Sequence, residues 1–478
     1  LPFAIPRRPG RDRLLALSLV LPLLASAPHA LQAAGPATAP SHAELAAYAD
    51  ALLSKTYPAD RPGAAVIVVR DGEVVLRKGY GLASVELGVP MPADAVFEIA
   101  SVTKPFTAVA VLKLVERGKV RLEDEITQYL PDYPTHDAKI TIEELLTHTS
   151  GVPSYTETAQ FPQHLRDDLT LNTLLARFKD KPLDFPPGTR WSYSDSGYVL
   201  LGAVIEKASG MSYGKFLQEE IFKPAGMASS RYGVNEEIVP RRVDAYERTA
   251  DGFRRARYLS LTQGYSAGAI LSTVDDLAAF DRALGGDTLL QAATRERMLT
   301  PKVLPDGTST RMGLSWSVTE LAGRKLYEHN GGIYGFSSHI LRIPEEHLFI
   351  AILSNDGDGA PRPETNAFFI AARALGKTID VAKPYTLDEA TLAGLVGSYR
   401  FPDEKVRTIR REGGKLFLQR PGTPSYELQP IDRDELVLVI APDNRLQIVR
   451  GEGGKVTGIR ILPRFGPEGG VGTRVETP

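Results

Sequence analysis

Ser101 and Lys104, in the stretch FEIASVTKPFTAVAVLKLVERG, stand three positions apart. Three residues is just under one helical turn, so both side chains leave the same face and can meet. Serine is a weak nucleophile at neutral pH, and a partly desolvated amine beside it can take or relay its proton. Such a pair can accept an acyl group from a substrate carbonyl and release it to water. The spacing alone recurs by chance, and Ser212 and Lys215 in SGMSYGKF repeat it. Context separates the two. Ser101 follows the apolar run VFEIA and opens a long helix whose first turn tolerates Pro105 and whose buried face runs from Val109 to Val115. The start of that helix directs free N–H groups toward anything anionic beside the serine. The Ser212 pair has a glycine between its members and no strand before it, and reads as helix surface.

Two further clusters follow. Tyr193, Ser194 and Asp195 precede a helix starting near Gly197 in FPPGTRWSYSDSGYVLLGAVIEKASG. His329, Gly331 and Gly332 lie in KLYEHNGGIYGFSSHILRIP, where His329 ends a strand and the glycines let a ligand approach the backbone. This order of SxxK, Tyr-x-Asn-like and His-x-Gly elements resembles the superfamily of class C beta-lactamases, penicillin-binding proteins and D-alanyl-D-alanine carboxypeptidases, which includes esterases and D-aminopeptidases. The stretches LLTHTSGVP, RWSYSDSGYVLLG, IFKPAGM and GAILSTVDDLAAF carry the resemblance across residues 41 to 376.

The resemblance implies that Ser101 attacks the substrate carbonyl, that Lys104 and Tyr193 share the general base and acid roles, and that the N–H groups of Ser101 and Gly332 form the oxyanion hole. Asp195, His329, Gly331 and Gly332 would contact substrate. A lysine ammonium near Tyr193 would favour its phenolate. Which of Lys104 and Tyr193 is the base stays open. Two departures stand out. His329 replaces the lysine with which many beta-lactamases bind the substrate carboxylate, which favours a peptidase-like or esterase-like activity. Asp195 replaces the usual asparagine, and an ionised carboxylate accepts hydrogen bonds but cannot donate them. Its charge could pair with Lys104 instead. A non-catalytic penicillin-binding-like receptor is the alternative from a different class, against which Ser101, Lys104 and Tyr193 stand together.

Other motifs compete. Gly264 to Gly268 spell GxSxG, an α/β-hydrolase elbow signature, but the preceding RRARYLSLTQ is too polar for a buried strand, so Ser266 reads as a loop residue near the cleft. Ser194 to Ser196 differ by one residue from an SDN triplet, yet the flanking Trp191 and GYVLLG fit the tyrosine frame better. His148, between two threonines, reads as structural. With eight histidines, no cysteine and no zinc spacing, no metal or other cofactor is expected.

The elements that must position these residues follow from periodicity. Ser41 and Glu44 form a capping box ahead of a helix, and AAVIVVRDGEVVLRKGYG is a hairpin turning on Asp71 and Gly72. GLSWSVTE, FSSHILRIP and LFIAILSN are strand-like and a helix follows at about 364 to 376. The expectation is a mixed α/β fold of the α+β kind, in which an antiparallel sheet built from both ends of a 41–380 domain carries an inserted helical region. From 385 to 470 short alternating segments broken by Gly-Gly turns read as an all-β meander or small barrel, lipocalin-like by resemblance, followed by a frayed glycine-rich end. The chain of 478 residues has a formal charge of −2 with mixed signs, which offers no basic patch for nucleic acid. Arg7 to Arg13, the apolar Leu14 to Leu24 and Ala25-Ser26-Ala27 read as a signal peptide within residues 1–40. Export to the periplasm, no stable membrane span after cleavage, and a small-molecule or peptide substrate are the resulting expectations.

Overall fold

The computed structural model describes residues 39–475 except 250, 358, 360, 378–383, 403–404, 420–424, 440 and 463–469. The signal segment and most of the expected domain boundary at 380–385 lie outside the described residues.

Two apolar runs form the centre of the larger part. Strand Ala64–Arg70 pairs antiparallel with Leu348–Ser354, with Val66 opposite Ile352. Successive residues point to opposite faces of a strand. Accordingly Ala65, Ile67, Phe349, Ala351 and Leu353 enter one buried cluster, whereas Ala64, Val66, Val68, Ile350 and Ile352 enter another. Both faces are covered, which is why these strands read as continuous apolar runs. The six-stranded sheet has the spatial order 317–321, 324–333, 336–343, 348–354, 64–70, 73–80. Its two halves come from opposite ends of the domain, as the sequence pattern indicates. Asp71 and Gly72 turn the hairpin at φ of 54° and 79°, the positive values that a tight two-residue loop requires.

Helices His42–Thr56 and Pro363–Ala374 cover one face, and the first carries the Ser41–Glu44 capping box. The other face supports the inserted helical region, including Thr103–Glu116, Asp195–Ser209 and Val274–Gly285. Phe106 anchors these layers. Its fully buried ring stacks 4.0 Å from Phe280 and meets Phe222 edge-on at 6.0 Å. Among the described residues no helix is long and apolar enough to cross a membrane.

Residues 397–475 form a closed eight-stranded antiparallel barrel whose first strand pairs with its last, Ser398 opposite Val475. Leu395, Tyr399, Ile409, Leu446 and Ile459 are among the side chains that fill it. The glycine-rich end departs from the expectation of fraying: Val471–Val475 is the strand that closes the barrel. Gly472 is needed there for space, because a Cβ would stand 2.5 Å from the Phe401 ring. The barrel meets the larger part where Lys405 lies 3.4 Å from Glu157, an exposed pair of the kind that contributes little by itself.

Phe106→Ala should destabilise the protein by about 3–5 kcal/mol, the usual cost of emptying an aromatic core site. Urea unfolding would measure it, and a loss below about 1 kcal/mol would show that the two layers do not depend on this ring.

Candidate active site

Ser101 lies in a 3-10 turn, Ala100–Val102, immediately before helix Thr103–Glu116, rather than within the α-helix itself. Ala100 has φ of 48°, a conformation that costs an L-residue energy and persists only when neighbours enforce it. Here the turn is tied on two sides. Ile99 N donates to Ile270 O at 3.1 Å, and Ser338 Oγ donates to Ile99 O at 2.7 Å. One tie comes from the short strand Ile270–Ser272 and the other from the central sheet.

Lys104 is completely buried. Its Nζ donates to Asp195 Oδ1 at 2.7 Å, Ala267 O at 2.9 Å and Ser101 Oγ at 3.0 Å. An ammonium has three N–H donors, and all three are engaged. Burial pushes Lys104 below the ordinary lysine value, while the Asp195 charge and hydrogen bond pull it back up. The rings of Tyr193 and Tyr198 flank Nζ at 4.8 and 5.5 Å.

The Tyr193 hydroxyl is a hydrogen-bond partner of Ser101. Burial first, and then the Asp195 charge, push this phenol well above the ordinary tyrosine range. The expected phenolate is therefore not favoured in the resting site, because burial and the Asp195 charge both oppose it. His148 supports the ring from behind at 4.4 Å between centroids. Its Nδ1 accepts from Ser194 N at 3.1 Å, so the neutral ring carries its proton on Nε2. Burial, followed by the charge of Lys104, holds His148 well below the ordinary histidine value. Its structural role thus consists of fixing Tyr193 and the residue after it.

Asp195 opens the helix Asp195–Ser209, with Ser194 as N-cap, its Oγ accepting from Gly197 N. Asp195 Oδ2 accepts from Thr156 Oγ1 at 2.7 Å, and Asp195 N donates to Ser154 Oγ at 3.1 Å. Ser154 and Thr156 hydroxyls are themselves 2.9 Å apart. Neither hydroxyl was singled out from sequence, since a Ser-x-Thr pair some forty residues before its partner carries no local signal.

His329 sits within the strand Arg324–Ile333 and does not end it. The neighbouring strand pairs with this one only as far as Ser317–Glu328, so among the described residues the outer edge from His329 onward has no ladder partner. That edge meets the Ser101 turn: a Cβ on Gly331 would lie 2.5 Å from Ile99 O and 3.1 Å from Ser101 N. Gly332 is exposed, with open space where a side chain would stand. The glycine pair therefore lets the sheet edge press on the turn at one residue and leaves the next accessible to ligand. His329 Nδ1 lies 2.7 Å from Asn330 O, to which only a protonated nitrogen can donate, so Nε2 of the neutral ring is an acceptor. Burial, reinforced by the Lys104 charge, pushes His329 down to about 3.

Ser266 is not at the cleft. It is fully buried in the kinked helical segment Leu261–Gly268, where its Oγ donates to Tyr198 O at 2.8 Å and its own carbonyl accepts from Thr107 Oγ1. The GYSAG segment matters through the next residue, whose carbonyl is the third acceptor of Lys104. The kink follows from Tyr265, at φ of 39°.

Gly331→Ala should lower kcat by at least about 100-fold, since displacing a nucleophile by 1 Å can cost that much; steady-state ester hydrolysis would measure it, and unchanged kcat would separate the glycine from the turn. His148 and His329 also set the acid stability of the fold. Each is held below its unfolded value of about 6.5, so its contribution is complete above that pH and drains away as pH falls. Unfolding measured at pH 7 and pH 5 should differ by about 2 kcal/mol on account of His329, and His329→Gln should remove that share.

The family model described as Beta-lactamase matches residues 51–375. Penicillin-binding protein 4* of Bacillus subtilis (strain 168) is 30% identical over 395 residues, covering 76% of this chain and 85% of that protein. The D-aminopeptidase of Gluconobacter oxydans (strain 621H) is 28% identical over 344 residues, covering 71% of this chain and 63% of the relative. The octameric penicillin-binding protein homologue from Pyrococcus abyssi superposes with a TM-score of 0.64 at 25% identity, over 89% of this chain and 99% of that one. The chain belongs to the beta-lactamase family and is a serine hydrolase of the superfamily shared by penicillin-binding proteins, D-aminopeptidases and esterases.

Proposed function

We propose that this enzyme forms an acyl-enzyme on Ser101 with D-amino-acid amides, short D-peptides or esters, in preference to penicillins or peptides held by a terminal carboxylate. The observation that carries this reading is the neutral His329. A site that selects carboxylates needs a cation on the sheet edge beside the nucleophile, and His329 offers a lone pair there instead. Among the described residues, the one ammonium at the nucleophile, Lys104, is buried and fully engaged. A relative named D-aminopeptidase supports the same class.

In the proposed reaction Ser101 Oγ attacks the carbonyl carbon and its proton enters the Tyr193–Lys104 pair. The carbonyl oxygen collects charge toward the N–H groups of Ser101 and Gly332. The pair returns the proton to the leaving amine or alcohol, and water then hydrolyses the acyl-enzyme with the same groups acting in reverse. Export to the periplasm, proposed from the basic and apolar segments between Arg7 and Ala27, would bring the enzyme to D-amino-acid-containing material.

Incubation with a penicillin, followed by intact-protein mass and assay of the drug, tests the preference beside turnover of a D-amino-acid amide and a p-nitrophenyl ester. The expected result is unmodified protein with intact drug, and amide or ester turnover that disappears in Ser101→Ala. A lasting adduct on Ser101 would instead indicate carboxypeptidase-like chemistry, and opened drug with free enzyme would indicate a beta-lactamase.

A further inference from the structure

We propose that Thr156 is a positioning residue for the catalytic lysine, its hydroxyl holding Asp195 in register with Lys104 Nζ. This rests on the reading of Ser101 as nucleophile. Asp195 has one oxygen on the lysine at 2.7 Å and the other on Thr156 Oγ1 at 2.7 Å. The threonine hydroxyl is oriented in turn by Ser154 Oγ at 2.9 Å, and that same oxygen receives Asp195 N. A short ring of hydrogen bonds therefore fixes both the backbone and the side chain of Asp195. Where an asparagine would present a donor and an acceptor, the carboxylate presents only acceptors, and Thr156 and Lys104 each supply a donor to it.

The consequence falls on Lys104. Its fully buried ammonium is held against desolvation mainly by the Asp195 charge. The other groups around it do not replace that charge. Tyr193 and Tyr198 face it as neutral phenols, pushed above their usual range by burial, and His148 and His329 are held neutral. Tyr155, which faces Asp195, is likewise pushed well up by burial. If Asp195 loses its second donor and swings, Nζ is less tightly paired and gives up its proton at lower pH. The sign is the same whichever role Lys104 plays. An acid-side limb appears if the reaction needs the amine, an alkaline-side limb if it needs the ammonium, and either limb moves down.

The test is the pH dependence of Ser101 labelling by a fluorophosphonate in the full chain, which requires no knowledge of the substrate. Thr156→Val should lower the labelling rate about tenfold, the scale of a lost hydrogen bond to a charged group, and move the Lys104 limb down by about one pH unit. Thr156→Ser, which keeps the hydroxyl, should restore both. Thr156→Ala, with no added bulk, replaces the valine variant if that one does not fold. A slowed variant with its limb unmoved, or a serine variant as impaired as valine, would overturn the proposal. Absence of labelling in the unmodified enzyme would instead overturn the assignment of Ser101.

Discussion

A buried ammonium is the constraint around which this molecule is organised. Removing a lysine charge from water costs several kcal/mol unless its partners are in place, and Lys104 has no exposure at all. Its partners come from three separate parts of the chain: the nucleophile turn, the first residue of helix Asp195–Ser209, and the carbonyl of Ala267 in a kinked segment. Each of these must be held to within hydrogen-bonding tolerance. The positive φ values of Ala100, His148 and Tyr265 stand at or beside the segments that converge on the lysine or its tyrosine. Packing energy from the surrounding core sustains these conformations.

The ion pair also shapes the chemistry. An asparagine at 195 would leave Lys104 uncompensated, and its charge would draw Tyr193 toward the phenolate. With a carboxylate in that position the site is close to electrically neutral: phenol, imidazoles and a paired lysine. Proton transfer within such a site redistributes charge without creating a net excess in the interior. In the proposed reading, a neutral cleft would have little to hold a carboxylate and no penalty for an uncharged or amine-bearing substrate, so the proposed preference and the proton economy at Ser101 would share an electrostatic origin.

Sheet architecture links these groups to the rest of the fold. The strand Arg324–Ile333 outruns its outer neighbour after Glu328, and its free edge abuts the turn that carries Ser101. Ser338, on the next strand, ties that turn from below. The barrel is a separate closed structure with its own apolar filling, and Lys405 beside Glu157 brings it next to the segment bearing Thr156.

Local order and identity of residues were sufficient for much of this. Periodicity revealed the central strands, the capped first helix, the Asp71–Gly72 turn and the alternating tail that closes as a barrel. Ser101, Lys104, Tyr193 and His329 were recognisable because each lies in a short, distinctive context. Relationships between distant segments were not recognisable. Thr156, Ser154 and the carbonyl of Ala267 have no motif of their own, since a hydroxyl or a backbone oxygen becomes significant only when folding aims it at a charge. The state of Tyr193 likewise depended on burial and on the nearby charge of Asp195, and a linear string records neither distance nor exposure. Sequence alone determined which chemical groups the protein carries and in what order. Tertiary structure decided which of them share a dry interior, and therefore which protons are free to move.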